Sequence, residues 1–385
     1  MKENFAAINF FGDKCRATAI KADFANKKIE ISEDFEFSSR NPLPVLKKFF
    51  SLVFYPRAYS AIFIFSPKEA AGIGGLISFE RLKPKEKISE EELADSVSDA
   101  VWKFFDSGRT KAAKQLGLSE PEIMLSDVSV YDFKIDGRKV INPMKQAGKK
   151  ISLEMGQVFA DRGNLKKFIG ILPKRSKRAF IMEGGTCASR LLERMSGKQK
   201  FAFAKVSPKE TNMFFGGKGD LGFMDYFSWG EEDLYRGISD NLKIGVSESK
   251  FAAEKALAGE TSENFKKEFQ KIFLGGIAPL VQGLKAGASA AKAKKIFLDF
   301  PFAEKAVSEG LKFKNISTNM IISVGFSGVL EKLGFGLNAP ADKKEKADFL
   351  LAAAILEIYF SPALSYPLSL VNRLAKRRMM WLMPN

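Results

Sequence analysis

The feature that most constrains the fold is the run FAFAKVSPKETNMFFGGKGDLGFMDYFSW, residues 201–229. Three short apolar runs are separated by clusters of turn residues, and only an antiparallel meander accommodates that pattern. Residues 201–206 alternate apolar and polar positions, 212–215 form a second run, and the glycine-rich turn 216–220 leads into 221–229. A helix should follow at once. Ser228 reads as its N-cap, and Glu231, Glu232 and Asp233 fill the first turn, where carboxylates complement the helix dipole. A second helix opens at Ser247 and runs through Leu257. Strands running into helices in this order point to an α/β fold.

A chain of 385 residues exceeds one ordinary core and implies two or more subdomains. An apolar content of 45%, with 36 phenylalanines, excludes general disorder. The chain has no histidine, which rules out histidine metal sites, Ser-His-Asp triads and Cys-His dyads. Cys15 and Cys187 are too few for a zinc cluster and read as small buried hydrophobes of a reducing compartment. The 61 Lys and Arg against 45 Asp and Glu leave +16, which calls for an anionic partner. Glu3, Asn4 and Asp13 interrupt any apolar leader near the start. The longest apolar run, 349–360, is too short to span a bilayer. A soluble or peripherally membrane-bound protein is expected.

Along the chain, 5–11, 16–22 and 28–37 read as strands, 42–54 as a Phe-rich helix and 58–65 as a strand. Residues 72–75, GIGG, look superficially like a phosphate loop but lack the flanking strand and helix such a loop needs. The charged segment 83–87 marks a boundary. Beyond it, 89–105 is an amphipathic helix opened by SEEE. Strands at 122–133 and 151–159 follow, then a helix at 165–172, a strand at 178–182 and a helix at 187–195. After the meander come a long helix at 263–284, an Ala/Gly/Lys connection at 286–293, strands at 295–300 and 320–324, and helices at 303–311, 327–333 and 347–360.

This order of elements resembles an actin-like ATPase, and most closely the FtsA family of bacterial cell-division proteins. In the block 88–172, Tyr131, Ile135-Asp136-Gly137, Asn142-Pro143 and Gly148 match that family's insertion domain. The resemblance implies a duplicated ribonuclease H-like fold with a small α+β insertion. Residues 1–87 would begin the first half, 88–172 the insertion and 173–198 the return. Residues 199–360 would form the second half, 361–367 a tether and 368–385 an amphipathic helix. It also locates a nucleotide cleft. The phosphate clamp's strand-end Asp falls on Lys205, and its glycines on Ser207, Pro208 and Lys209. Thr211 is kept and the closing Asp becomes Asn212. The Gly-Gly pair becomes Trp229-Gly230, and the Ala-Glu pair survives as Ala253-Glu254. In the first hairpin Gly12 is kept, Phe10 replaces the Asp beside Asn9, and Asp13 and Lys14 occupy the turn. Phe300-Pro301 replace the second Gly-Gly pair. Vestigial nucleotide contacts are thus expected from Gly12, Asp13, Lys14, Lys205, Thr211, Gly230 and Glu254. No catalytic residue and no metal ligand remain. Mg–ATP is the family's cofactor and fits these residues poorly, although Lys205 could still neutralise an anion. Asp220 and Asp225 should face solvent.

Residues 361–367 read as a tether into LSLVNRLAKRRMMWLMPN. At helical spacing this segment sets Leu370, Val371, Leu374, Trp381 and Leu382 against Arg373, Lys376 and Arg377, with Arg378 breaking the pattern. Such a helix suits an anionic bilayer surface; the other reading is a terminal helix docked on the protein's own body. FtsA proteins typically end in such a membrane helix. The resemblance therefore implies an adaptor on the cytoplasmic face of the cell membrane, with anionic lipids and the tubulin-like filament protein FtsZ as partners. It also implies self-association through the insertion, for which the basic loop 138–150 is available. A PilM-like platform of type IV pilus assembly, which binds a membrane partner's peptide, is the alternative. An active sugar kinase or ATPase would need the lost loops, and no nucleic-acid motif accompanies the charge.

Overall fold

The computed structural model describes residues 2–12, 14–54, 59–140, 142–174, 176–197, 199–300, 302, 321–340, 348–361 and 368–382. The first half opens with three strands, β1 (Lys2–Phe11), β2 (Lys14–Asp23) and β3 (Lys28–Ser38), paired antiparallel in sequence. Helix α1 (Pro42–Val53) follows and buries Leu46, Phe49, Phe50 and Val53. Strand β4 (Ser60–Phe65) then adds parallel to β1.

Next comes β5 (Ala70–Glu80), a strand that the sequence reading left unassigned. Its glycines are there for close packing. A Cβ at Gly72 would lie 2.2 Å from the Thr186 hydroxyl, and one at Gly74 2.7 Å from Leu221. The GIGG run is therefore a strand pressed between neighbours. Helix α2 (Glu90–Leu116) is capped by Ser89, whose side chain accepts from the Glu92 amide, and ends on left-handed Gly117. It runs 11 residues past the expected end at 105 because Ala112 and Ala113 extend its buried stripe. Strands β6 (Ile123–Ile135), β7 (Arg138–Lys139) and β8 (Lys150–Asp161) and helix α3 (Arg162–Gly170) complete the block. Asp136 and Gly137, both at positive φ, make the two-residue turn between β6 and β7. The Asp136 carboxylate accepts from the amides of Lys149 and Lys150. Gly148 fits because a Cβ there would lie 2.2 Å from Ile135. The sheet of this block, β5-β8-β6-β7, thus begins at Ala70, ahead of the boundary expected at 83–87.

Strand β9 (Ala179–Glu183) returns to the first sheet beside β4, and α4 (Gly184–Ser196) leads to the second half. There β10 (Phe201–Val206), β11 (Thr211–Gly216) and β12 (Leu221–Phe227) form the meander. Helices α5 (Glu231–Leu242), α6 (Val246–Leu257), α7 (Glu263–Gly276) and α8 (Ala278–Ala290) cover it. Gly230, not Ser228, caps α5; its amide donates to Asp233. The expected helix 263–284 is split at Ile277, since Pro279 at the start of α8 lacks the amide that would continue α7. Residues 286–290, expected to be a flexible connection, are the end of α8, where Gly287 and Ala288 are buried. Strand β13 (Lys295–Asp299) adds parallel to β10, and β14 (Ile321–Ser323) parallel to β13. The helix expected at 303–311 lies outside the described residues.

Helix α9 (Phe326–Lys332) and β15 (Gly336–Asn338) then close on β3. Helix α10 (Phe349–Tyr359) is apolar on nearly every side and buried. Helix α11 (Leu368–Leu382) packs on α2 and β6.

The first sheet runs β15-β3-β2-β1-β4-β9; in the second, β12-β11-β10-β13-β14 repeats the same meander-plus-parallel order. Two copies of a ribonuclease H-like sheet in one chain define the actin-like fold, here with an α+β insertion joined to the second sheet through β5 and β12. The core between the halves is built by α4 and α10, with Phe203, Phe214, Phe349 and Ile355 fully buried.

Candidate functional site

The cleft of such a fold lies between the two halves, at the ends of β1 and β10. Lys205 sits on β10 opposite Asp299 of β13, which is its register partner. The Lys205 ammonium is 2.7 Å from Asp299 Oδ2 and 3.0 Å from Asp348 Oδ1. Asp348 caps α10 by accepting from the Leu350 amide at 3.0 Å, and its other oxygen accepts from Asn9 Nδ2, also at 3.0 Å. One buried ammonium, two carboxylates and one amide therefore tie β1, β10, β13 and α10 together.

Burial would push the Lys205 ammonium down, but Asp299 and Asp348 outweigh it and hold its pKa well above the lysine range. Burial and the neighbouring Asp348 raise the Asp299 carboxyl above the usual range. Burial opposes ionisation of Asp348 as well, yet Lys205 and the Leu350 amide bring it below. Lys205 is thus a fixed internal cation, neutralising the carboxylates in whose presence a divalent metal would otherwise be drawn. No group of three acidic or cysteine side chains able to hold a metal occurs among the described residues.

The hairpin after Lys205 satisfies itself. The Ser207 amide donates to Glu210 O, and the amides of Glu231 and Glu232 donate to Ser207 O and Pro208 O. Thr211, expected to touch phosphate, is buried and its hydroxyl donates to Trp229 O at 2.8 Å. Gly230 is required by this hairpin, since a Cβ there would lie 2.3 Å from Pro208 O. Trp229, Phe300 and Phe302 fill the adjoining space with edge-on ring contacts 5.5–6.0 Å apart. Pro301 lies outside the described residues.

The crevice left beside Phe10, Gly12, Glu183, Lys205 and Asn212 holds about 20 Å³, room for a single water. Lys68 pairs with Glu210 and lies 4.7 Å over the Tyr226 ring, joining the two halves nearby. This crevice is small beside ligand pockets, which run to hundreds of Å³, and Lys205, Asp299 and Asp348 face one another.

Of the expected contacts, the structure places Lys205 and Gly12 at the crevice, Thr211 and Gly230 in the self-satisfied hairpin, and Lys14 and Glu254 on the surface. Gly12 forms a turn at φ +68° with open space around it. Lys14 is exposed and pairs with Glu36 at 2.6 Å. Glu254 is exposed on α6. Asp13 lies outside the described residues. Asp220 and Asp225 are exposed. The sequence reading did not single out Asp299, Asp348 or Glu183. Asn9 it named only as a neighbour of the lost Asp position, yet Asn9 is the residue on β1 that reaches the network. Glu183 is fully buried at the crevice wall and accepts from the amides of Gly185 and Thr186 at 2.8 and 2.7 Å. Burial raises its carboxyl to about 7 against those hydrogen bonds. Cys15 and Cys187 are free and buried.

The expected tail residues lie on α11, which is docked rather than free. Val371 and Ala375 are completely buried, and Leu370, Leu374 and Leu382 pack at the edge of the same core. Asn372 forms two bonds to Val130 in β6: its Nδ2 donates to Val130 O and its Oδ1 accepts from the Val130 amide, each at 2.9 Å. Those backbone groups lie on a stretch of β6 that β7, paired only at Lys134 and Ile135, leaves uncovered. Lys376 pairs with Asp127 at 3.2 Å. Arg373, Arg377 and Trp381 face outward, and Arg378 is half-buried. The physical reason is competition for one apolar stripe, which the insertion sheet and α2 satisfy within the chain. No helix among the described residues is long and apolar enough to cross a membrane.

No protein-family model and no curated protein matches this sequence. Among solved structures, the chain is similar to a PilM–PilN type IV pilus biogenesis complex (11% identity, 97% of each chain covered, TM-score 0.44). It is similar to the ethanolamine utilization protein EutJ from Carboxydothermus hydrogenoformans (8%, 92% of this chain and 89% of that one, TM-score 0.37). It is also similar to the pSK41 ParM protein in its apo form (10%, 86% and 96%, TM-score 0.36). The fold assignment rests on the repeated strand order: this chain carries an actin-like fold.

Proposed function

We propose that this chain is a non-hydrolysing actin-like scaffold, an FtsA-like adaptor that holds a tubulin-like division filament, FtsZ, to the inner face of the cytoplasmic membrane. The observation that carries the scaffold reading is the Lys205–Asp299–Asp348–Asn9 network, whose lysine lines a crevice of about 20 Å³. With phosphate and metal positions spent on internal pairing, the fold's work is binding other macromolecules. The basic helix α11 supplies the lipid side, and the insertion block offers a surface for self-association and partners. The test combines calorimetry and sedimentation on the full chain. Mg–ATP should give no binding heat, and FtsZ filaments should pellet with phosphatidylglycerol vesicles only when the protein is present. Micromolar, Mg-dependent ATP binding would overturn the scaffold reading; filaments left in the supernatant would overturn the adaptor.

A second reading, a PilM-like platform, is favoured by a groove of about 330 Å³ between the start of α1 and helix α3. Phe10, Phe65, Leu165 and Phe168 line it with apolar surface, and Arg40, Asp161 and Lys167 add charged groups, a lining suited to a short peptide. Under this reading Phe168→Ala abolishes capture of the membrane partner's peptide and leaves vesicle sedimentation unchanged.

A further inference from the structure

We propose that helix α11 and Trp102 of α2 together form one surface that binds an anionic lipid bilayer while the helix stays docked on the body. The proposal rests on the membrane reading above and specifies how contact is made. The inward face of α11 is already spent: Val371 and Ala375 are fully buried, Met379 nearly so, and Asn372 is bonded on both sides to Val130. A bilayer can reach that face only by tearing the helix from its own core.

The outward side carries a different set. Arg373, Arg377, Met380 and Trp381, spaced i, i+4, i+7 and i+8, are exposed in one stripe. Trp381 is 70% and Met380 62% exposed, and Trp102 on α2 is 47% exposed. The Arg378 guanidinium lies 5.5 Å from the Trp381 ring centroid and 5.8 Å from that of Trp102, bringing the two tryptophans to one place. Its Nε finds no acceptor among the described residues. The chain has three tryptophans, and the third, Trp229, is buried. Both exposed ones therefore sit in this cluster.

The partner's chemistry follows from charge. Helix α11 carries Arg373, Lys376, Arg377 and Arg378 and no acid, and Lys376 is the one drawn to Asp127. Asp99 and Asp106 are exposed on α2 on either side of Trp102, and Asp106 pairs with Arg109 at 3.7 Å. The basic edge therefore belongs to α11. Indole rings seat at the headgroup level, where one end is apolar and the other wet, and guanidinium groups meet lipid phosphate. Each cation near an anionic surface is worth about fivefold in partition.

The test is sedimentation of the full chain with phosphatidylglycerol/phosphatidylcholine vesicles and with pure phosphatidylcholine vesicles. The intact protein should partition to the anionic vesicles alone. Trp102→Ala and Trp381→Ala should each lower that partition about fivefold, in line with the loss of one interfacial anchor, while melting as the parent does. Asn372→Ala, which loosens the dock, should not raise it. Strong binding that is indifferent to Trp102→Ala and strengthened by Asn372→Ala would overturn the docked surface and leave the membrane reading standing, with the helix acting after release. A full chain that ignores both vesicles would overturn the membrane reading itself and leave the tryptophan pair to a protein partner.

Discussion

Glu183 is the residue whose chemistry is most exposed to experiment. Its carboxyl is buried at the start of α4 and raised to about 7 by that burial. The unfolded chain's glutamates ionise near 4.5, so the native state holds an extra proton between about pH 4.5 and 7. The contribution of Glu183 to native stability is therefore lost as pH rises through that window, and Asp299, also raised, acts in the same direction. Glu183→Gln removes the first contribution. The stability gap between parent and variant should therefore shift in the variant's favour by roughly 2.5 kcal/mol from pH 5 to pH 8, measured by urea unfolding at both pH values. A constant gap would mean that Glu183 is ionised in the native state throughout.

Residue-level legibility was uneven for a plain reason. Asp136 and Gly137 were visible because a two-residue turn is local, whereas Asn142 and Gly148 entered only through the family resemblance. Lys205 was visible as an anomaly, a cation where the resemblance expects a carboxylate. Its partners were not, because Asp299 is 94 and Asp348 143 positions away, and no local pattern links residues so distant.

Among the elements, the docking of α11 makes a sharp prediction. Asn372→Ala leaves the Val130 amide and carbonyl without partners beneath the helix, at a cost of about 1–3 kcal/mol. Hydrogen exchange should then speed in α11 and around Val130, while β10 and β13 keep their protection. Unchanged exchange in α11 would show that its apolar contacts alone fix it. The helix itself was legible from its periodicity, but its target was not. Amphipathic spacing says that one face needs cover and is silent on whether lipid or protein supplies it. Strand β5 escaped for the opposite reason. Its glycines look like a loop until Thr186 and Leu221 are seen to press against them.

For the whole molecule, the repeated meander-plus-parallel order was readable in outline because turn clusters separate the strands. The joint between the insertion and the second half was not, since only Leu221–Gly74 and Gly222–Ile73 pair across it. Arg190 reinforces the assembly at depth. Its guanidinium lies 3.5 Å from the ring centroid of Tyr131 in β6 and 3.1 Å from Glu357 of α10. Arg190→Ala should leave the partly buried Glu357 carboxylate without its cation and cost about 1–3 kcal/mol. It should also split a single urea transition into two, followed by fluorescence and circular dichroism together. A single transition retained at lower urea would mean that the insertion and body stay coupled without it.

The bond between Asn372 and Val130 joins positions 242 residues apart. During synthesis at 5–20 residues per second, strand β6 therefore waits roughly 10–50 s for the helix that covers it. Throughout that interval the insertion sheet has α2 but not α11 to cover it, and the two Val130 backbone groups lack their Asn372 partner. Co-translational folding of this block is therefore complete only once α11 has been made.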